Sequence, residues 1–177
     1  MSPKAERILD IAGLRTTAVG SPDAPLTLVL LHGYAMRPSD LAPFAHSLGV
    51  PAFFLFPQGP LSSPGGGHAW WGVDEEARSA AIAAGPRDLA NEYPPGLPAA
   101  RLQLERFLDA VAPRHTVFQV GYRNRFRHPN TQVLARYRAR QSALLRSDLD
   151  GAVRFETLGA ALRVCTYRAA RRRYWMD

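Results

Sequence analysis

Residues 26–36 read LTLVLLHGYAM, and this stretch decides the fold. Leu26 to Leu31 is apolar except for Thr27. A short unbroken apolar run is what a strand buried on both faces requires. The run stops at His32-Gly33. Glycine permits a sharp turn, and His32 puts an imidazole at the carboxyl end of the strand. Ligand-binding and catalytic groups of open α/β sheets collect at that edge. Pro38-Ser39-Asp40 then supplies a helix start, and Leu41, Phe44, Ala45 and Leu48 give an apolar face at helical spacing. The stretch therefore predicts a central buried strand, a turn and a helix.

Working outward, Leu9 to Val19 reads as a first strand with Gly13 in a turn or bulge, and Ser21-Pro22-Asp23 as a turn. Ala52 to Pro57 is the next strand. A long loop follows from Gln58-Gly59-Pro60 through the SSPGGG run at 62–67 to Trp70-Trp71. The HG turn, the FLFPQGP strand end and the Trp pair, in that order, resemble the small carboxylesterase and phospholipase branch of the α/β-hydrolase fold. The resemblance runs from about Ile8 to Tyr93. It implies an oxyanion loop at His32, Gly33 and Tyr34, where the backbone N–H after the HG turn helps hold an oxyanion. It also implies a pocket at His68, Trp70 and Trp71. For each histidine a plainer role stands beside this one. His32 can be a packed, hydrogen-bonded strand-end residue, and His68 can sit in a glycine-rich loop.

A serine esterase needs more than this. Its nucleophile stands on a G-x-S-x-G elbow, followed by an acid and a late histidine. The chain contains no G-x-S-x-G, and His115 and His128, the histidines after Trp71, follow no such nucleophile and acid. An oxyanion hole without a nucleophile forms no acyl-enzyme.

Glu75 to Ala84 predicts a short helix ended by Gly85-Pro86, and Tyr93-Pro94-Pro95-Gly96 a break. A helix from Pro98 carries Leu102, Leu104, Phe107, Leu108 and Val111, and Pro113 closes it. Next come a strand at Thr116 to Val120, a helix at Asn130 to Gln141 and a short strand at Leu144 to Ser147. Asp150-Gly151 predicts a hairpin that returns Ala152 to Leu158 as the partner of that short strand. Leu162 to Tyr167 is a last strand, before a basic tail to Trp175.

Phe107 to Trp175 contains FLDAVAP, GYRNRFRHP, VLARYRAR, SDLDGAV and RRRYW. These runs resemble the C-terminal end of the ComEC competence proteins, inner-membrane proteins that carry DNA across that membrane. The resemblance implies a metallo-β-lactamase-like segment and a link to DNA uptake. It makes His128 a candidate metal ligand. A catalytic zinc needs about three protein ligands, and no H-x-H-x-D-H cluster accompanies His128. No cofactor is therefore required, and a divalent metal enters only if this half retains its parent's chemistry.

The charge distribution bears on partners. The chain has 177 residues and a net charge of +7. Residues 1–112 hold 8 Lys/Arg against 11 Asp/Glu, a balance of −3, while residues 113–177 hold 14 Arg against 4 acids, a balance of +10. Such asymmetry suggests two pieces with different partners. Arg123, Arg125 and Arg127 alternate, so in an extended segment they share one face. Tyr122 and Phe126 are interleaved with them and suited to stacking on bases, and Arg171, Arg172 and Arg173 cluster near the end. DNA is the expected partner of residues 113–177. An arginine-rich surface that merely solvates the protein is the competing reading.

Hydrophobic residues make up 46% of the chain, enough to bury a core. The single cysteine, Cys165, excludes an internal disulfide and fits a reduced, cytoplasmic setting. MSPKAERILD lacks the apolar core of a signal peptide, and no run approaches the ~20 apolar residues of a membrane span.

The expected fold is α/β with a mixed sheet. Residues 1–106 form a partial α/β-hydrolase-like segment. Residues 107–177 form a basic segment of metallo-β-lactamase-like type, whose last strands make an antiparallel ribbon. Three functions follow from this. The first is a composite or truncated hydrolase-like chain without a complete active site, whose basic half binds DNA. The second is a serine carboxylesterase acting on a small ester. The third is a non-catalytic α/β module. A Ser hydroxyl about 3 Å from a His, near the Tyr34 N–H, favours the second. His and Asp side chains converging on His128 favour a metal-dependent nuclease.

Overall fold

The computed structural model describes residues 6–85, 93–118, 120, 129, 131–159 and 161–171. The chain divides into two compact units, Met1–Ala110 and Val111–Asp177.

In place of the single strand expected over Leu9 to Val19, the first unit begins with a hairpin of β1 (Glu6–Ile11) and β2 (Leu14–Val19), antiparallel with Ile11 opposite Leu14. Its two turn residues, Ala12 and Gly13, both have positive φ. That is the geometry matching the right-handed twist of a tight hairpin. The Asp10 carboxylate accepts from the Gly13 N–H at 2.9 Å and fixes the turn. Next come β3 (Leu26–Val29), a helix α1 (Ala42–Ser47) and β4 (Ala52–Pro57). The sheet order is β1-β2-β4-β3. β4 runs antiparallel to β2 and parallel to β3, so the sheet is mixed.

This order corrects the expectation for Leu26 to Leu31. The strand stops at Val29, no residue in it is fully buried, and it is an edge strand among the described residues. The strand buried on both faces is β4, where Ala52, Phe54, Leu55, Phe56 and Pro57 are all buried. The physical reason is neighbours: β4 is paired on both sides, β3 on one. The core cluster is Val19, Ala45, Ala52, Phe54 and Phe56, with Leu26, Leu28, Leu30, Leu41 and Val50 packed against it. Each fully buried Phe contributes about 2 kcal/mol from removed apolar surface. Gly20 lets β2 leave this core, because a Cβ there would stand 2.4 Å from the Ala52 carbonyl oxygen.

The helix face after the HG turn is narrower than its spacing predicted. Ala42 and Ala45 turn inward, whereas Phe44 is 53% exposed and Leu48 also faces out. The helix has only six residues and offers its small side chains to the sheet. The loop predicted from Gln58 to Trp71 contains a tight hairpin, β5 (Leu61–Ser62) with β6 (His68–Ala69). α2 (Glu75–Ala84) begins where expected, with the Asp74 carboxylate capping the Ala77 N–H at 2.9 Å. α3 (Leu97–Val111) buries Ala100 and Phe107, two turns apart, and leaves Leu102 exposed.

In the second unit β7 (His115–Phe118) pairs parallel with β8 (Ala143–Arg146), and α4 (Thr131–Ala139) lies in the connection between them. A crossover of this kind is what parallel pairing demands. Leu134 is the buried residue of α4, and Tyr137 meets Phe118 edge-on at 5.5 Å between ring centroids.

The predicted hairpin at Asp150-Gly151 is not formed. Ser147–Asp150 makes a single helical turn, α5, and Gly151 ends it at φ 72°. The Asp150 carboxylate accepts from the Arg146 N–H at 2.7 Å, so the aspartate closes a helical turn instead of opening a hairpin. β9 (Val153–Leu158) pairs antiparallel with β10 (Ala161–Thr166), not with β8. The antiparallel ribbon exists, one strand later than expected. The last predicted strand stops at Thr166, and α6 (Tyr167–Ala170) follows it. No helix among the described residues is long and apolar enough to cross a membrane.

Candidate functional site

In the first unit, β3 and β4 run parallel, so their carboxyl ends lie side by side. His32 follows the first of them and Gly59 the second. The His32 side chain is almost fully enclosed, with 3% exposure. Its Nε2 accepts the Gly59 N–H at 2.9 Å. That bond leaves the ring proton on Nδ1, which donates to the Gly33 carbonyl at 2.7 Å. The His32 carbonyl in turn accepts from Trp70 Nε1–H at 3.0 Å. The Trp70 ring stacks on the imidazole at 5.3 Å. Both ring nitrogens are engaged, so His32 is a brace tying two strand ends and the Trp70 loop together.

The turn after His32 is fastened to the β5–β6 hairpin. Ala35 N–H donates to the His68 carbonyl at 3.0 Å, and His68 N–H donates to the Met36 carbonyl at 2.9 Å. Arg37 Nε–H reaches the Gly66 carbonyl at 2.8 Å. Gly67 is required for this approach, since a Cβ would lie 2.0 Å from the Ala35 carbonyl oxygen. The Ala35 N–H is thereby consumed, and the Met36 N–H donates to the Gly33 carbonyl at 3.3 Å. Tyr34 N–H, the candidate oxyanion donor, makes no hydrogen bond among the described residues.

The Tyr34 side chain donates to the Glu75 carboxylate, and the Arg78 guanidinium lies over its ring at 5.2 Å. The bond to Glu75 holds the phenol proton and raises its pKa above the ordinary value. His68 is half-buried, and its Nδ1 and the Ser63 hydroxyl are buried with no hydrogen-bond partner among the described residues. Trp71 packs toward Gly96, where a Cβ would approach the Trp71 Cβ to 3.4 Å. No Ser hydroxyl hydrogen-bonds a histidine among the described residues. Nor does any group of three or more His, Cys, Asp or Glu there have the placement to hold a metal ion.

In the second unit, Tyr122, Arg123, Arg125, Phe126, Arg127, His128, Arg172 and Arg173 lie outside the described residues. Arg171 lies within them, exposed, with its guanidinium 5.5 Å from the Tyr167 ring centroid. Val120, next to the basic run, is clamped by Ser147. The Ser147 Oγ accepts the Val120 N–H at 2.6 Å and donates to the Val120 carbonyl at 2.9 Å. Arg146 forms a bidentate pair with Asp148, which holds the Asp148 carboxyl below its ordinary pKa. Sequence reasoning missed the Ser147 clamp, the Arg146–Asp148 pair and the Tyr34–Glu75 bond. The short spacing of Arg146 and Asp148 was a usable signal. No local pattern announces the other two, which join residues far apart in the chain.

No protein-family model matches the chain. Competence protein ComA of Neisseria gonorrhoeae is 47% identical over 49 residues, which is 28% of this chain and 7% of that protein. The chain therefore spans a small fraction of that relative's length. A crystal structure of carboxylesterase from Mesorhizobium loti aligns at a TM-score of 0.39 and 16% identity, over 80% of this chain and 88% of that one. A likeness of that degree carries no argument about fold or function.

Proposed function

We propose that residues 113–177 bind DNA as a basic module of competence-protein type, joined to an α/β-hydrolase-like segment without a complete active site. The observation that supports it is the concentration of 14 arginines against 4 acids in 65 residues, while the preceding 112 carry a net −3. The local match to a competence protein is consistent with it. Phosphate contacts from arginine give affinity with little sequence information, so the module binds different sequences alike. The hydrolase-like segment keeps an HG turn and an unengaged Tyr34 N–H, but among the described residues no serine there is hydrogen-bonded to a histidine. On this reading the segment is not expected to cleave esters, since an acyl-enzyme needs an activated nucleophile.

The test replaces Arg123, Arg125 and Arg127 together by Ala in the full chain and measures oligonucleotide binding by filter retention. The reading expects weaker binding, equal for all sequences, and a salt slope reduced by up to ~3, about 1 for each phosphate that is no longer neutralised. Unchanged affinity and slope would remove this run from the interface.

A further inference from the structure

We propose that the cleft at the amino edge of β3 and β4 binds a free amino acid with an apolar side chain. The two strands run parallel from Leu26 and Ala52, so this edge is the one opposite His32 and Gly59. The cleft has a volume of about 660 Å³, within the range of about 300–1,000 Å³ that small-molecule sites occupy. It is lined by Arg7, by the turn from Gly20 to Pro25, and by Pro51 and Ala52. Proline has no N–H to satisfy and a fixed φ, so Pro22, Pro25 and Pro51 give the cleft apolar, preformed walls. The turn is held in shape by its own bonds. Ala24 N–H donates to the Ser21 carbonyl at 3.1 Å, and Asp23 N–H donates to Ser21 Oγ at 3.2 Å.

The charges of the lining name the ligand. Arg7 and Asp23 are its charged residues, both exposed, and neither makes an ion pair among the described residues. Arg7 is nonetheless positioned. Its Nη2–H donates to the Gly20 carbonyl at 3.1 Å, and its guanidinium lies 5.8 Å from the Phe53 ring centroid. That bond uses one of the five guanidinium N–H groups. The others suit a carboxylate, which pairs with a guanidinium through two parallel bonds. The Asp23 carboxylate suits an ammonium group. An anion alone would meet the Asp23 charge unscreened, and a cation alone would meet that of Arg7. A free amino acid carries both charges on one carbon, and an apolar side chain matches the proline walls.

The test titrates the full-length protein with L-phenylalanine and follows backbone amide shifts by NMR. Two analogues run beside it: 3-phenylpropionate, which lacks the ammonium, and phenethylamine, which lacks the carboxylate. The expected result is saturable shifts at the amides of residues 20–24 and Ala52, with each analogue binding about ten-fold more weakly, the scale of one lost charge-assisted hydrogen bond. Arg7→Gln and Asp23→Asn should each weaken phenylalanine by about the same factor. The analogue series on the unaltered protein reads the same contacts without depending on a variant's folding. Absence of shifts at these amides up to ~10 mM ligand, a concentration that fills any site of millimolar affinity, overturns the site. Either analogue binding as well as phenylalanine overturns the amino-acid class.

Discussion

At the scale of single residues, the imidazole of the HG turn has both its hydrogen-bonding positions used by structure. His32 is enclosed, both its ring nitrogens are bonded, and Trp70 is stacked upon it. Removing it leaves the Gly59 N–H without its partner in a buried place. His32→Ala is expected to cost about 2–4 kcal/mol, the combined scale of an orphaned buried N–H and the space left behind. Urea unfolding followed by tryptophan emission measures it, and a cost below about 0.5 kcal/mol would show that the brace carries no load. In the second unit the Arg146 guanidinium holds Asp148 below its ordinary value of 3.8. A depressed folded value means the contribution is present above the ordinary value and is lost as pH falls through the folded one. The unfolding midpoint of the C-terminal unit should therefore drop below about pH 4, and Asp148→Asn should flatten that drop. An equal drop in the variant would assign it to other carboxylates.

At the scale of elements, the sheet is legible in sequence where local chemistry fixes it, and illegible where pairing does. The turn at Gly13, the AFFLFP strand, the helix that Gly85 ends and the helix ending before Pro113 all follow from short patterns, although the single strand expected over Leu9 to Val19 is two strands. The edge position of β3 does not. A run such as LTLVLL reads the same whether it gains one neighbour or two, and burial depends on that number. Asp150-Gly151 misleads for a related reason: the same pair stops a helical turn or makes a hairpin, and the bond from Arg146 N–H to Asp150 decides it. The histidine of the HG turn is visible at once, but its bonds to Gly59 and Trp70 link distant stretches that no spacing rule connects.

The side of β3 that pairs with no strand among the described residues also has a consequence. The Leu30 N–H points to β4, bonding the Leu55 carbonyl at 3.0 Å, so residues in alternate register, Thr27 and Val29, turn their backbone groups outward. Unpaired edges of this kind template association, and a charge on the edge suppresses it. Thr27 is exposed, so Thr27→Lys should lower light scattering at high protein concentration while leaving stability within about 0.5 kcal/mol of the parent. Unchanged scattering would clear this edge of a role in association.

At the scale of the whole molecule, two compact units of opposite charge share one chain, and DNA binding is proposed for the basic one. Binding by phosphate neutralisation releases counterions, so its strength must fall as a power of salt concentration. Binding through an apolar groove or a few neutral hydrogen bonds would be nearly flat. The decisive measurement is fluorescence anisotropy of a labelled single-stranded oligonucleotide titrated with the full chain at several salt concentrations. The account predicts binding at ~50 mM salt, with log K falling linearly in log salt at about −0.7 for each phosphate contacted. Affinity independent of salt, or no binding at ~50 mM, would contradict it.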